Sequence, residues 1–157
     1  MVVTVRYCNT DRTSGQSLHA ITPTLQIGNA FEARDIKTVL SLGINAIVDL
    51  AIDEPPIVPT RDVTYCRIPL IDGEGNSPAT LRLAVNITYQ LLADQTPTLV
   101  ACSAGMSRSP VIAAAALAEN NKTTLAIEIA KIASIVPHDI SPALLADIRH
   151  VLENKPQ

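Results

Sequence analysis

Between Ala101 and Pro110 the chain reads Ala-Cys-Ser-Ala-Gly-Met-Ser-Arg-Ser-Pro, a cysteine followed after five residues by an arginine and then a hydroxyl residue. Each residue type in this run suits the handling of a phosphate ester. A loop that turns directly into a helix points successive backbone N–H groups inward, and with the helix N-terminus they form a cradle for a dianion. Ser103, Ala104, Gly105, Met106, Ser107 and Arg108 would supply those groups, with Gly105 permitting the tight backbone path. Arg108 offers a planar fork to two oxygens at once, which a lysine does not. The same positive field favours the thiolate of Cys102, the nucleophilic form of a thiol, and Ser109 can hydrogen-bond that sulfur when it leaves. The competing reading is a buried, inert cysteine at the end of a core strand, which is what most cysteines of intracellular chains are. At background frequencies a cysteine is followed by Gly, Arg and Ser at these three offsets roughly a few times in ten thousand, so the reactive reading wins.

The elements that must position this loop are legible around it. Thr98 to Ala101 is a short β-prone run directly before Cys102, and Ser109-Pro110 opens an apolar helix reaching about Asn120. Upstream, Leu25 to Ile27 reads as a strand stopping at Gly28-Asn29. Asp35 caps a helix from Ile36 to Leu42 that ends at Gly43, and Ala46 to Leu50 reads as a buried strand. Three prolines between Glu54 and Pro59 exclude that segment from a central sheet. A further strand follows at Val63 to Ile68. The run Asp72-Gly-Glu-Gly-Asn-Ser-Pro78 is an exposed loop, with Ser77 as N-cap and Pro78 as first residue of a helix reaching about Asp94. Two more helices are predicted, Leu125 to Val136 and Pro142 to Glu153, the second capped by Ser141. Strands alternating with helices imply an α/β domain with a central, mostly parallel sheet flanked by helices on both faces, the cysteine loop lying between a strand and a helix.

Composition excludes several functions. A chain of 157 residues with 47% hydrophobic and 17% charged residues fits one domain, residues 1–157. The longest apolar run, Pro110 to Ala118, is far shorter than the roughly 20 residues that cross a bilayer. The start Met1 to Arg6 lacks the pattern of a secretory signal, so a reducing, cytoplasmic setting is expected. Cys8, Cys66 and Cys102 are odd in number and form no CxxC pair, which argues against a disulfide framework or a metal site. A net charge of −3, scattered basic residues and few aromatics argue against nucleic acid as a partner. His19, His138 and His150 share no spacing that suggests ligands or a base and read as surface or capping residues. Asp139, in Pro-His-Asp-Ile-Ser-Pro142, reads as part of a structural turn.

The segment Cys102 to Ser109 resembles the signature of the dual-specificity phosphatases, within the cysteine-based protein tyrosine phosphatase superfamily. Thr24-Leu-Gln-Ile-Gly-Asn-Ala30 and Gly43-Ile-Asn-Ala-Ile-Val-Asp49 are similar to the family's early segment and its following strand, and the resemblance spans most of residues 21 to 120. It implies a phosphocysteine intermediate hydrolysed by water, with no metal or other cofactor. It also implies a general acid on a movable loop upstream, where Asp72 fits; Glu74 is the main competitor, with Asp53 and Glu54 behind it. The family usually has histidine directly before the nucleophile, where this chain has Ala101, so a group that helps fix the loop and favour the thiolate is replaced by a methyl. Cys66 could protect Cys102 through a reversible disulfide, as a second cysteine does in some relatives, although a buried inert thiol is the stronger reading. Nothing resembles the long loop that deepens the pocket of strict tyrosine phosphatases, which implies a shallow cleft open to phosphotyrosine, phosphoserine and phosphothreonine. A monomer acting on phosphorylated protein, away from membranes, is the expectation. Its rivals are a pseudophosphatase that binds phosphoproteins without turnover, a phosphatase of a non-protein ester, and a sulfurtransferase or arsenate reductase.

Overall fold

The computed structural model describes residues 18–154. Five strands form one sheet: β1 (His19–Thr22), β2 (Leu25–Asn29), β3 (Ala46–Ala51), β4 (Thr64–Leu70) and β5 (Thr98–Cys102). Their order is β1-β2-β5-β3-β4, with β1 antiparallel to β2 and every other pair parallel. Helices α1 (Ala30–Arg34) and α2 (Ile36–Ser41) cover one face, and α3 (Pro78–Ala93), α4 (Arg108–Asn121), α5 (Leu125–Ala133) and α6 (Pro142–Glu153) form the layer on the other. The expected α/β architecture is therefore present.

Strand β5 is buried along its whole length because both its neighbours and both helical layers cover it. Its side chains alternate between the layers. Leu99 and Ala101 pack with Ala33, Val39 and Ile44, whereas Val100 and Cys102 face the larger cluster that includes Val111 and Ile112 of α4. Cys102 thus emerges at the C-terminal edge of the sheet on the side where α4 begins. Helix α4 is buried from Arg108 to Ala118, and its run of alanines lets α3 and α5 pack closely on either side.

Most helix boundaries follow their caps. Asp35, Ser77, Thr124 and Ser141 each accept a hydrogen bond from the backbone N–H three residues on. The sequence reading missed β1 and α1. Helix α1 has its own signature in Asn29-Ala-Phe-Glu32: Asn29 Oδ1 accepts from Glu32 N at 2.9 Å while Glu32 Oε2 accepts from Asn29 N at 2.8 Å, a reciprocal capping box. Helix α5 stops at Ala133, short of the expected Val136, because Ile135 and Val136 N–H groups both turn back to the Ile132 carbonyl. Strand β4 is an edge strand, so Cys66 is half-buried rather than in the core as expected. Cys8 lies outside the described residues.

The α4–α5 turn is held by one buried carboxylate. Burial alone would push the Glu128 carboxyl up, but Thr123, Lys131 and Asn121 all donate to Oε1, and the net effect holds it below the usual glutamate range. A depressed value means that the charged form stabilises the fold above the unfolded-state pKa and that this contribution is lost as pH falls through the folded-state value. Thermal melts of wild type and Glu128→Gln from pH 6 to pH 3 check this. The wild-type advantage should be full near pH 6 and shrink below the ordinary glutamate range; a constant difference would refute it.

Candidate active site

The loop from Ser103 to Ser107 leaves β5 and enters α4 without an intervening element. Gly105 adopts φ +75°, and a Cβ there would lie 2.9 Å from the Gly28 carbonyl oxygen, so glycine is required both for the turn and for the close approach to β2. The Gly105 N–H donates to Cys102 Sγ at 3.2 Å. From the other side, Ala30 N–H at the start of α1 donates to the Ser103 carbonyl at 3.3 Å, so the missed helix α1 clamps the loop's first turn. Ser107 occupies the N-cap of α4 but makes no capping bond, so the first-turn N–H groups of α4 have no side-chain partner among the described residues.

Arg108 is buried yet only partly satisfied. Its Nη1 donates to the Leu70 carbonyl at 2.9 Å and its Nη2 to Ser103 Oγ at 2.9 Å, while Asp53 Oδ2 lies 3.4 Å from Nη1. Asp53 is 68% exposed, so that last contact is a weak, solvent-screened one. Arg108 Nε and Ser109 Oγ are buried and have no hydrogen-bond partner among the described residues. A desolvated guanidinium N–H left unbonded costs free energy that an anion at this position would recover. Ser109, expected to bond the sulfur as it leaves, makes no bond to it in this structure, where the Gly105 amide donates to Sγ.

Asp72 is brought directly to the loop, where Ser107 Oγ donates to its Oδ1 at 2.6 Å. Its own segment is closed by Asn76, whose amide accepts from Ile71 N at 2.8 Å and donates to the carbonyls of Ile71 and Gly73. Glu74 is exposed and makes no hydrogen bond among the described residues, so of the two carboxylates of this loop only Asp72 reaches the cysteine loop.

A buried network upstream was not anticipated. Asp49 accepts from Tyr65 Oη at 2.6 Å, Ala51 N at 3.0 Å and Arg67 Nη1 at 3.3 Å, while Arg67 Nη2 donates to the carbonyls of Ala51 and Glu54. Burial, reinforced by the hydrogen bond to Asp49, pushes the Tyr65 phenol up. This network fixes the segment after β3 and so delivers Asp53 to Arg108. Ala101 is fully buried against Ala33 and its neighbours, where an imidazole would overpack the α1 side of the sheet.

Of the remaining residues singled out in the sequence, His138 and His150 are exposed and His19 is half-buried in β1. The turn expected at Asp139 contacts the loop, because Asp139 N–H donates to the Met106 carbonyl at 2.9 Å. Val48 pairs with both Cys66 and Val100, which sets Cys66 two strands from β5, about 10 Å away at ordinary strand spacing, with Cys102 two residues further on. A disulfide needs Cα atoms within about 7 Å, so Cys66 does not reach Cys102 without backbone movement. Among the described residues no helix is long and apolar enough to cross a membrane.

Known structures share this fold. A mouse protein solved as a dual specificity phosphatase in complex with zinc tungstate superposes with a TM-score of 0.81 at 21% identity, covering 94% of this chain and 93% of that one. The fold is that of the dual-specificity phosphatases. Human DUSP28 aligns with a TM-score of 0.76 at 21% identity over 87% of this chain and 96% of that one. PTPMT1 in complex with PI(5)P aligns at 0.70 and 21% identity, covering 86% and 94%. No protein-family model and no curated protein sequence matches the chain.

Proposed function

We propose that this protein is a cysteine-dependent phosphomonoester hydrolase of the dual-specificity type, acting on phosphorylated tyrosine, serine and threonine side chains. The observation that carries this reading is Arg108, buried with its Nε unpartnered at the start of a helix that Ser107 does not cap, beside a loop whose Gly105 amide donates to Cys102 Sγ. With Nη1 held by the Leu70 carbonyl and one N–H of Nη2 given to Ser103 Oγ, Nε and the second N–H of Nη2 remain for two phosphate oxygens.

In the proposed reaction the Cys102 thiolate attacks phosphorus, the S–P bond forms as the P–O bond to the leaving group breaks, and the leaving oxygen takes a proton from Asp72. Water then attacks the phosphocysteine, giving its proton to Asp72 as the S–P bond breaks and inorganic phosphate departs. Ser109, buried and unpartnered beside the loop, is free to donate to the departing sulfur.

The rim supports a polypeptide as substrate. Asp53, Asp72 and Asp139 each lie in a segment bonded to the loop, and Arg34 and Arg67 beside them are committed to backbone carbonyls and carboxylates. Phe31, Ile52, Ile71 and Met106, all exposed, are chain neighbours of residues that bond to the loop or belong to it. Carboxylates repel a polyanion, whereas exposed apolar side chains suit the flanks of a phosphorylated residue.

Purified protein assayed on phosphotyrosine, phosphoserine and phosphothreonine peptides, beside vesicles carrying PI(5)P, thiosulfate and arsenate, tests the assignment. Release of phosphate from the peptides at rates above those from the vesicles is expected. Turnover of PI(5)P alone would reassign the substrate to a lipid. Phosphate binding without turnover of any ester would leave a pseudophosphatase, and sulfur transfer or arsenate reduction would replace the reading altogether.

A further inference from the structure

A serine at a helix N-cap ordinarily spends its hydroxyl on the N–H two or three residues on, a bond worth about 0.5–2 kcal/mol. Ser107 forgoes it. Its hydroxyl, buried at the start of α4, donates to Asp72 Oδ1 at 2.6 Å and accepts from the Ser141 N–H at 3.1 Å. Ser141 is the N-cap of α6, and its own side chain accepts from Leu144 N–H, so the third partner is anchored to a helix whose Leu144, Ile148 and Val151 are buried in the core. One hydroxyl therefore joins the cysteine loop, the Asp72 loop and the C-terminal helix.

We infer that Ser107 is a positioning residue that selects which oxygen of Asp72 carries the transferable proton, with α6 fixing the direction of its hydroxyl. The inference rests on Asp72 being the acid of the proposed reaction. The Ser141 N–H occupies a lone pair of Ser107 Oγ and leaves the Ser107 O–H to point at Asp72. Oδ1 can accept that bond whether the carboxyl is protonated or ionised. A proton on Oδ1 turned toward the second lone pair of Ser107 Oγ would take from the Ser107 O–H the acceptor it has among the described residues, so the arrangement favours the proton on Oδ2, which then faces the leaving group and takes a proton back from water in the second step. Without Ser107, the exposed Asp72 carboxyl would sample other rotamers and present either oxygen, weakening proton transfer while leaving the amide cradle and Arg108 in place.

The test compares Ser107→Ala, Ser107→Thr, Asp72→Asn and the Asp72→Asn/Ser107→Ala double variant on a phosphoserine peptide and on an activated aryl phosphate. Inhibition by inorganic phosphate serves as the readout of an intact cradle. General acid catalysis is worth about 10²–10⁴-fold and matters most for a poor leaving group, so Asp72→Asn should slow the peptide by that order and the aryl ester far less. Ser107→Ala should reproduce part of this pattern, lowering kcat for the peptide about tenfold with little change for the aryl ester or in phosphate inhibition. Ser107→Thr, which keeps the hydroxyl, should recover most of the loss, and Ser107→Ala should cost nothing further in the Asp72→Asn background. Equal slowing of both substrates by Ser107→Ala, or losses that multiply in the double variant, would overturn the inference while leaving Asp72 as the acid. Absence of leaving-group dependence in Asp72→Asn itself would remove the acid assignment, and the role of Ser107 with it.

Discussion

Cys102→Ser protein is expected to lose turnover of an aryl phosphate by a factor on the order of 10⁵ or more, because an alcohol at this position is too weakly ionised to attack phosphorus. The oxyanion cradle should survive. The Gly105 N–H that now reaches Cys102 Sγ can reach a serine oxygen, and neither Arg108 nor the uncapped start of α4 depends on the sulfur. Cys102 is also nearly fully buried and the replacement barely smaller, so the fold should be retained. Kinetics on the purified variant, with vanadate or phosphate affinity measured by calorimetry, check both halves. Residual turnover within a hundredfold of wild type would remove Cys102 as the nucleophile, and loss of oxyanion binding together with activity would show that the sulfur itself shapes the site.

Arg108→Lys is expected to lose both affinity for phosphate and rate, with kcat/KM falling on the order of 10³-fold, since removal of even one well-placed donor to a developing charge typically costs 10²–10³. The side chain has two jobs that a lysine cannot combine. One edge of the guanidinium ties the end of β4 to the loop through the Leu70 carbonyl, and Nη2 orders Ser103, while Nε, buried and unpartnered, is left for the anion of the proposed reaction. A single ammonium can serve one of these partners, so the loop should loosen as well as lose its clamp. Steady-state kinetics and phosphate inhibition, with a thermal melt to confirm folding, test the assignment. Near-normal kinetics in a folded variant would place the clamp elsewhere.

How the site could be read in advance depends on whether its parts are near or far along the chain. The cysteine loop is contiguous, and its path follows from one glycine, one helix start and the strand before it, so the turn at Gly105 between Cys102 and Arg108 could be read from the residue types. Helix starts were likewise local: Asp35, Ser77, Thr124 and Ser141 each bond an amide three residues away. The capping box of α1 was equally local and could have been found from Asn29 and Glu32. Strand β1 offered little, being short, irregular at Ala20 to Thr22 and paired on one side only.

Residue types and their spacing by themselves thus determined the α/β alternation and the strand–loop–helix path that carries Cys102 and Arg108, because caps, turns and periodicity are interactions within a few residues. Tertiary structure alone decided the rest. The order β1-β2-β5-β3-β4 puts β4 at the edge, which leaves Cys66 half-buried and separates it from Cys102. It also brings the segments that follow β3 and β4 to the C-terminal edge of β5, so that Asp53 meets Arg108 and Asp72 meets Ser107. Those pairs lie 55 and 35 residues apart in the chain. Contacts of that kind depend on strand order and on how the helices pack over the sheet, neither of which any local pattern of residues specifies.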